Sequence, residues 1–338
     1  MTTSNNQLAV DARILLALYL VVPISLLFVL YDMFILDGFI GKHYLPKLPD
    51  NWAYWGVFFG LPHIVGSFIT IVDKEYIRHY NLKLIIPLIV IIATAYVVPK
   101  IFGPLVLLVI IGCWTSYHVL QQQFGIALGL LRKSPCIYTL IWRWFSIIAI
   151  TSVWGEIVAH FILDRFFIFG IPLAEISKYG GLLSLTIATF AAFKINSLVH
   201  QKGKPAPVAL WFFWGNVVMM LVVYFCTFTK YTVFGVLIPR VLHDITAFIV
   251  YGVHDQNRNK NEYKNIIFRL FSVTRIPPMI LGPILCVAIS YVYSDWTHGN
   301  PMSYAVLYYT YGFYHYYVEG FLWKRDSLLR QQVRFAVA

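Results

Sequence analysis

Residues 208–228 read VALWFFWGNVVMMLVVYFCTF, a stretch without a single acidic or basic side chain. About 20 such residues in a helix cross the roughly 30 Å of a bilayer's hydrocarbon core. The apolar residues are continuous and do not alternate with polar ones, so the stretch predicts a helix and not a strand of a barrel. It therefore indicates an integral membrane protein built from helices.

Nine further stretches are also mostly apolar and long enough to be candidate spans, at residues 14–36, 52–72, 84–100, 104–131, 136–161, 181–199, 233–256, 276–295 and 302–323. The whole sequence is 59% hydrophobic and 12% charged and has a mean hydropathy of +0.70, which excludes an ordinary soluble globular protein. We expect an all-α, polytopic transmembrane helical bundle of about ten spans, forming a single integral membrane domain over residues 1–338. Nine spans are the alternative, because 84–100 is short and the boundary between 208–228 and 233–256 is indistinct.

The lysines and arginines are distributed unequally between the two sides of these spans. With ten spans, 18 of the 26 lie in the N-terminus, the even-numbered loops and the C-terminal tail, 6 lie on the other side, and Arg143 and Arg240 lie in or at spans. Basic loops stay in the cytoplasm, so we expect both termini to be cytoplasmic and the protein to lie in a bacterial inner membrane. The net charge of +11 is mainly this topology signal plus attraction to anionic lipid, and the absence of a polar basic module excludes a nucleic-acid partner.

Five histidines lie within the predicted spans: His63, His118, His243, His254 and His315. An imidazole in hydrocarbon has no water to bond with, and ionisable groups at membrane depth are candidates for function. Measured from the first cytoplasmic base after each span, all but His254 lie roughly 13 to 23 Å inside the cytoplasmic boundary. Because these four lie at one depth on four different helices, we predict that they meet around one metal ion. His254 lies nearer the cytoplasm and is either a further ligand or part of an interfacial helix end.

Polar residues accompany these histidines at helical spacing. Gln122 and Glu319 each lie four residues after a histidine, His118 and His315 respectively, and therefore share a helix face with it. Asp244 directly follows a histidine, about 100° round the helix from it. A carboxylate bonded to the far ring nitrogen of a ligating histidine fixes the tautomer and raises its basicity. We predict that Gln122, Glu319 and Asp244 are weak ligands or groups that orient the imidazoles.

The last span is unusually rich in aromatic residues: Tyr304, Tyr308, Tyr309, Tyr311, Phe313, Tyr314, Tyr316 and Tyr317. Aromatic belts explain such residues at helix ends, but these run through the middle of the span. They indicate either helix packing, an aromatic tunnel for a flat lipophilic substrate, or tyrosines near an oxidant. Tyr314, next to a candidate ligand, joins Glu319 and Asp244 as a candidate catalytic residue.

The GLPH segment of residues 60–63 resembles the Brp/Blh family of bacterial and archaeal membrane β-carotene 15,15′-dioxygenases. These are multi-pass proteins with a GLPH-type segment and further histidines in later helices, thought to hold iron. The matching positions are His63, His118, His243 or His254, and His315. The family has an aspartate shortly after its first histidine, where this chain has IVGS at residues 64–67, and the close histidine pair of the family's third window is spread here over 11 residues. The resemblance covers these four short windows and implies metal-dependent oxygen chemistry.

The leading functional prediction is a membrane-embedded non-haem iron enzyme, an oxygenase, oxidase or desaturase, that acts on a lipophilic small molecule. Three or four histidines with a weak Gln or Glu leave an open coordination position for oxygen. Zinc, copper and haem are the alternative cofactors. The alternative functions are a metal-ion or proton transporter and a haem-binding electron-transfer protein. The expected partners are membrane lipids and the lipophilic substrate, with an electron donor as a further candidate.

Overall fold

The computed structural model describes residues 7–46, 60–201, 203–297 and 301–337. Most of these residues are helical, in agreement with the predicted all-α class. The helices are α1 (Ala12–Leu18), α2 (Val21–Ile35), α3 (Phe39–His43), α4 (Leu61–Ile71), α5 (Lys74–Phe102), α6 (Pro104–Leu130), α7 (Ile137–Trp154), α8 (His160–Leu163), α9 (Leu173–His200), α10 (Pro207–Phe228), α11 (Thr232–Arg258), α12 (Ile266–Leu270), α13 (Pro278–Thr297), α14 (Pro301–Leu322) and α15 (Leu328–Gln332). The strands are β1 (Ala9–Asp11), β2 (Phe167–Ile168), β3 (Ile171–Pro172) and β4 (Arg334–Ala336), and they pair as β1 with β4 and β2 with β3.

Within the described residues, six helices are long and apolar enough to cross a membrane: Ala12–Ile35, Lys74–Phe102, Ile137–Ile157, Leu173–His200, Pro207–Phe228 and Thr232–Arg258. Each coincides with one of the predicted spans, and the first joins α1 and α2. The other four predicted spans correspond to α4, α6, α13 and α14, of which α4 and α13 contain shorter apolar helices. Residues 52–59 of the second predicted span lie outside the described residues. The number of ten spans stays a prediction.

The outer faces of the long helices carry large apolar side chains. Phe34 on α2 is 75% exposed, and Leu82 and Ile89 on α5 are 65% and 62% exposed. Contiguous apolar surface of this kind is unfavourable in water and is the normal surface of a helix in contact with lipid. The exposed faces and the six long apolar helices together indicate an integral membrane protein.

The chain falls into two compact units, and two of the boundaries between them lie within helices α6 and α11. Unit 1 comprises Met1–Val10, Ala53–Leu107 and Asp244–Ala336, and unit 2 comprises Asp11–Trp52, Leu108–His243 and Val337–Ala338. A single membrane domain over residues 1–338 stays a prediction.

In unit 1, α13 and α14 pack against α4, and α14 also packs against α5. A buried apolar cluster joins α4, α12 and α13 and consists of Ile69, Phe268, Leu281 and Cys286. Asn265 ties the segment before α12 to the end of α4, because its side chain donates to the carbonyl of Ile69 at 2.7 Å. The short helix α4 is therefore held along its length by later parts of the chain.

The start of α5 in unit 1 is fixed by an ion pair outside the apolar core. Arg258 donates to both oxygens of Asp73 at 3.0 and 3.2 Å and also to Glu75. Burial alone would raise the pKa of Asp73, but the hydrogen bonds and charge of Arg258 and the backbone N–H of Glu75 hold it below its ordinary value. Asp73 therefore stays ionised and caps α5.

In unit 2, α9 packs along α7, and α1 packs against α10. Small residues permit these close approaches: a Cβ atom on Gly181 of α9 would lie 1.8 Å from the Ser152 hydroxyl oxygen of α7. Asp32 holds the turn after α2, since it accepts hydrogen bonds from the backbone of Ile40 and Gly41 and from the Tyr231 hydroxyl. A buried carboxylate with three donors is well satisfied.

Candidate metal centre

His63 lies in the first turn of α4 and is fully buried. The helix begins after Gly60, whose φ of +87° favours glycine, and Pro62 occupies the first turn, where it breaks no helical hydrogen bond. The backbone N–H of Gly60 donates to Asp244 Oδ2 at 2.9 Å. A carboxylate of α11 thus binds the N-terminal end of α4, where negative charge is favourable.

The second oxygen of the same carboxylate orients His63. Asp244 Oδ1 lies 3.0 Å from His63 Nδ1, and both side chains are buried. A carboxylate this close to Nδ1 favours the tautomer that carries its hydrogen there. The lone pair of the neutral imidazole is then on Nε2.

His315 on α14 is oriented in the same sense by a serine. Its Nδ1 lies 2.9 Å from the hydroxyl oxygen of Ser67, and that hydroxyl donates its hydrogen to the Ile64 carbonyl at 2.7 Å. Because a serine has one hydrogen to donate, its oxygen accepts from His315 Nδ1–H. The lone pair of His315 is therefore also on Nε2.

The two Nε2 atoms face each other at 3.0 Å, with the rings at 84°. Two lone pairs repel at this distance unless a cation lies between them or one ring is protonated. Two imidazole nitrogens that each lie about 2.1 Å from one metal ion are about 3.0–3.4 Å apart at angles of about 90–110°. The pair therefore fits the geometry of two ligands to a single ion.

Glu319 brings a second buried carboxylate to this pair. It lies one helical turn after His315, as its spacing predicts, and its Oε1 is 3.9 Å from His315 Nε2. The hydroxyl of Tyr251 donates to the same oxygen. Glu319 and Asp244 together place two carboxylates around two neutral imidazoles, and a divalent cation would balance that charge.

Two of the predicted residues in unit 1 have other contacts. The hydroxyl of Tyr314 donates to the Leu84 carbonyl of α5 at 3.1 Å, which is a helix-packing contact. His254 has both ring nitrogens in hydrogen bonds, with the Tyr76 hydroxyl at 2.7 Å and with Asp255 at 2.8 Å. The roles predicted for Tyr314 in catalysis and for His254 as a ligand stay predictions.

Unit 2 contains the other two predicted ligands. His118 and His243 are buried, and their rings meet edge to face with centroids 4.9 Å apart. Gln122 is buried near the same helical stripe as His118, and neither its amide oxygen nor its nitrogen has a hydrogen-bond partner within the described ranges. Gln123, by contrast, donates to the Leu242 carbonyl and accepts from Tyr19. The four histidines are thus found as two close pairs, one in each unit.

Three residues of this site were not predicted from the sequence: Ser67, Tyr251 and Gly60. Ser67 lies four residues after His63, so the same i,i+4 spacing that singled out Glu319 could have drawn attention to it. Tyr251 gave no such signal, because it meets Glu319 only through the packing of α11 and α14.

No protein-family model, curated protein or solved structure matches this chain. The similarity of the GLPH segment to the Brp/Blh family stays a resemblance.

Proposed function

We propose that this protein is a membrane-embedded, metal-dependent oxidoreductase of the oxygenase or oxidase type, with non-haem iron held by His63 and His315. The observation that carries the proposal is the pair of Nε2 atoms facing each other at 3.0 Å, with the Ser67 hydroxyl beside Nδ1 of His315 and the Asp244 carboxylate beside Nδ1 of His63. Histidine pairs that are merely structural use one ring as donor and the other as acceptor. In the pair His63 and His315, both Nε2 atoms are acceptors, and both are placed to bind the same metal ion.

The chain's own residues would hold and tune that ion. Asp244 and Ser67 fix the tautomers of the two imidazoles, and ionised Asp244 raises the basicity of His63. Glu319, oriented by Tyr251, is positioned as a weak third ligand or as an acceptor for a proton. Bound iron with so few strong ligands would supply open coordination positions for oxygen chemistry. The surrounding apolar side chains would limit the access of water.

The membrane setting supports a lipophilic substrate. His63 lies on α4, a shorter apolar helix, and Asp244 lies on α11, one of the six helices that are long and apolar enough to cross a membrane. A site at this depth is reached more readily by a molecule dissolved in the bilayer than by a polar solute. Membrane lipids and a lipophilic substrate are therefore the proposed partners, with an electron donor as a further one.

Metal analysis of the purified protein separates this proposal from the alternatives. We expect about one iron per chain and no Soret band, because the proposed ligands are imidazoles and carboxylates of the protein itself. A Soret band would identify a haem-binding electron carrier. Zinc or copper in place of iron would remove the oxygenase assignment, and metal that exchanges readily across proteoliposomes would indicate transport.

We also propose ten spans with both termini in the cytoplasm of a bacterial inner membrane. The support is the distribution of basic residues, 18 against 6, between the two sides of the predicted spans. A C-terminal tag should be inaccessible to an impermeant reagent added to intact spheroplasts and should become accessible after lysis. Labelling of the tag in intact spheroplasts would contradict this topology.

A further inference from the structure

A cavity of about 240 Å³ lies in unit 1 between α4, α13 and α14. Ile64 and Phe68 line it from α4, and Tyr311 lines it from α14. Ile64 is the residue next to His63, and Tyr311 lies about one helical turn before His315. The cavity therefore borders the two helices that carry the proposed metal ligands.

The cavity reaches the outer surface of the protein at α13. Ile289 lines it and is 44% exposed, whereas the neighbouring Ser290 is fully buried. The wall opposite is aromatic, since the rings of Phe68 and Tyr311 lie 5.7 Å apart. A hydrocarbon chain could enter from the bilayer past Ile289 and pack against these rings.

Ser290 is a polar exception in this apolar wall. Within the described part of the chain, its buried hydroxyl has no hydrogen-bond partner. Serines inside helices ordinarily donate to the carbonyl four residues earlier, as Ser184 of α9 does to Gly180 at 2.7 Å. A buried hydroxyl without a partner costs free energy, and a ligand oxygen bound to it would recover that cost.

We propose that this cavity binds a lipophilic molecule whose hydrocarbon chain fills the space between α4, α13 and α14 and whose hydroxyl or carbonyl oxygen bonds to Ser290. The identification of this molecule as the substrate rests on the proposed function, because the cavity borders the helices of His63 and His315. The binding itself needs no metal. Substrate selection thus depends on the oxygen that bonds to Ser290 in a mainly apolar site.

The test uses the full-length, metal-free protein in detergent and a photoreactive 1-decanol that carries a diazirine in its chain. Labelling is competed with 1-decanol and with n-decane, which differ only in the hydroxyl, and the labelled peptides are identified by mass spectrometry. We expect labelling of α4 or α13, with 1-decanol competing at about 3- to 10-fold lower concentration than n-decane, the effect of one neutral hydrogen bond.

Ser290→Ala should remove that difference between the two competitors, and Ser184→Ala should retain it because the Ser184 hydroxyl is already bonded within its own helix. Partitioning of the competitors into detergent is the same for all variants, so it cancels in this comparison. Equal competition in the wild type, labelling only elsewhere in the chain, or a preference that survives Ser290→Ala would overturn the inference.

The metal-free assay keeps this inference separate from the proposed function. Protein that shows the Ser290-dependent preference but contains no metal when purified would contradict the proposed enzyme and leave the binding site. Protein that holds iron but shows no such preference would contradict the binding site and leave the proposed enzyme.

Discussion

His63→Ala and His315→Ala are each expected to lower the iron content of the purified protein to below about one tenth of the wild-type value. Each change removes one of the two nitrogens that face each other, and loss of even a group that only orients a ligand typically costs about 10–100-fold in affinity. Iron per chain, measured by plasma mass spectrometry on protein purified in parallel, checks this result.

His254→Ala is the matched control for these variants. His254 is also a buried histidine on a membrane helix, but both its ring nitrogens are bonded to Tyr76 and Asp255. We expect this variant to lose stability and to keep its iron. His43→Ala, at an exposed position in α3, should change neither property. Full iron content in His315→Ala would refute the shared ion.

The same measurement tests the prediction from the sequence that His118 and His243 bind this ion as well. His118→Ala is expected to lower the iron content as His315→Ala does, because the four histidines are predicted to lie at one depth in the bilayer. Wild-type iron content in His118→Ala would restrict the ligands to His63 and His315.

The second large effect is expected from Asp244→Asn, which should weaken metal affinity by about 10–100-fold. One oxygen of the carboxylate accepts from the Gly60 N–H, and the other lies 3.0 Å from His63 Nδ1. An asparagine amide can donate to Nδ1, which would move the imidazole hydrogen to Nε2 and direct it at the ion. Competition with a chelator of known affinity measures the loss.

Asp255→Asn provides a matched control for Asp244→Asn. Asp255 is also a buried aspartate of α11 that is bonded to a histidine, at 2.8 Å from His254. We expect it to lower thermal stability without changing metal affinity. Asp244→Asn should change the affinity more than the stability of the metal-free protein. If the two variants shifted the affinity equally, Asp244 would be a structural residue and not one that positions a ligand.

The features of the fold and of the site that depend on local periodicity could be predicted from the sequence. The helical period places Glu319 on the face of His315, and the structure has the two groups 3.9 Å apart. Continuous apolar runs likewise predicted ten spans, and six of them coincide with described helices that have the length and composition of membrane spans. These signals are local because helix geometry repeats over three to four residues.

The parts that depend on which helices meet could not be predicted in this way. The sequence places Asp244 about 100° round the helix from His243, yet the groups that its carboxylate meets are His63 and Gly60, almost two hundred residues away in the chain. Tyr314 was favoured because it adjoins His315, but the same rotation of about 100° directs its hydroxyl to α5. A single sequence contains no record of these long-range pairings.

X-ray absorption at the iron edge of the purified wild-type protein tests most directly whether His63 and His315 bind one iron ion. We expect nitrogen and oxygen ligands at about 2.0–2.2 Å with the outer-shell scattering of at least two imidazoles, and one imidazole fewer in any residual iron of His315→Ala. Iron without imidazole scattering, or a spectrum unchanged by His315→Ala, would contradict it.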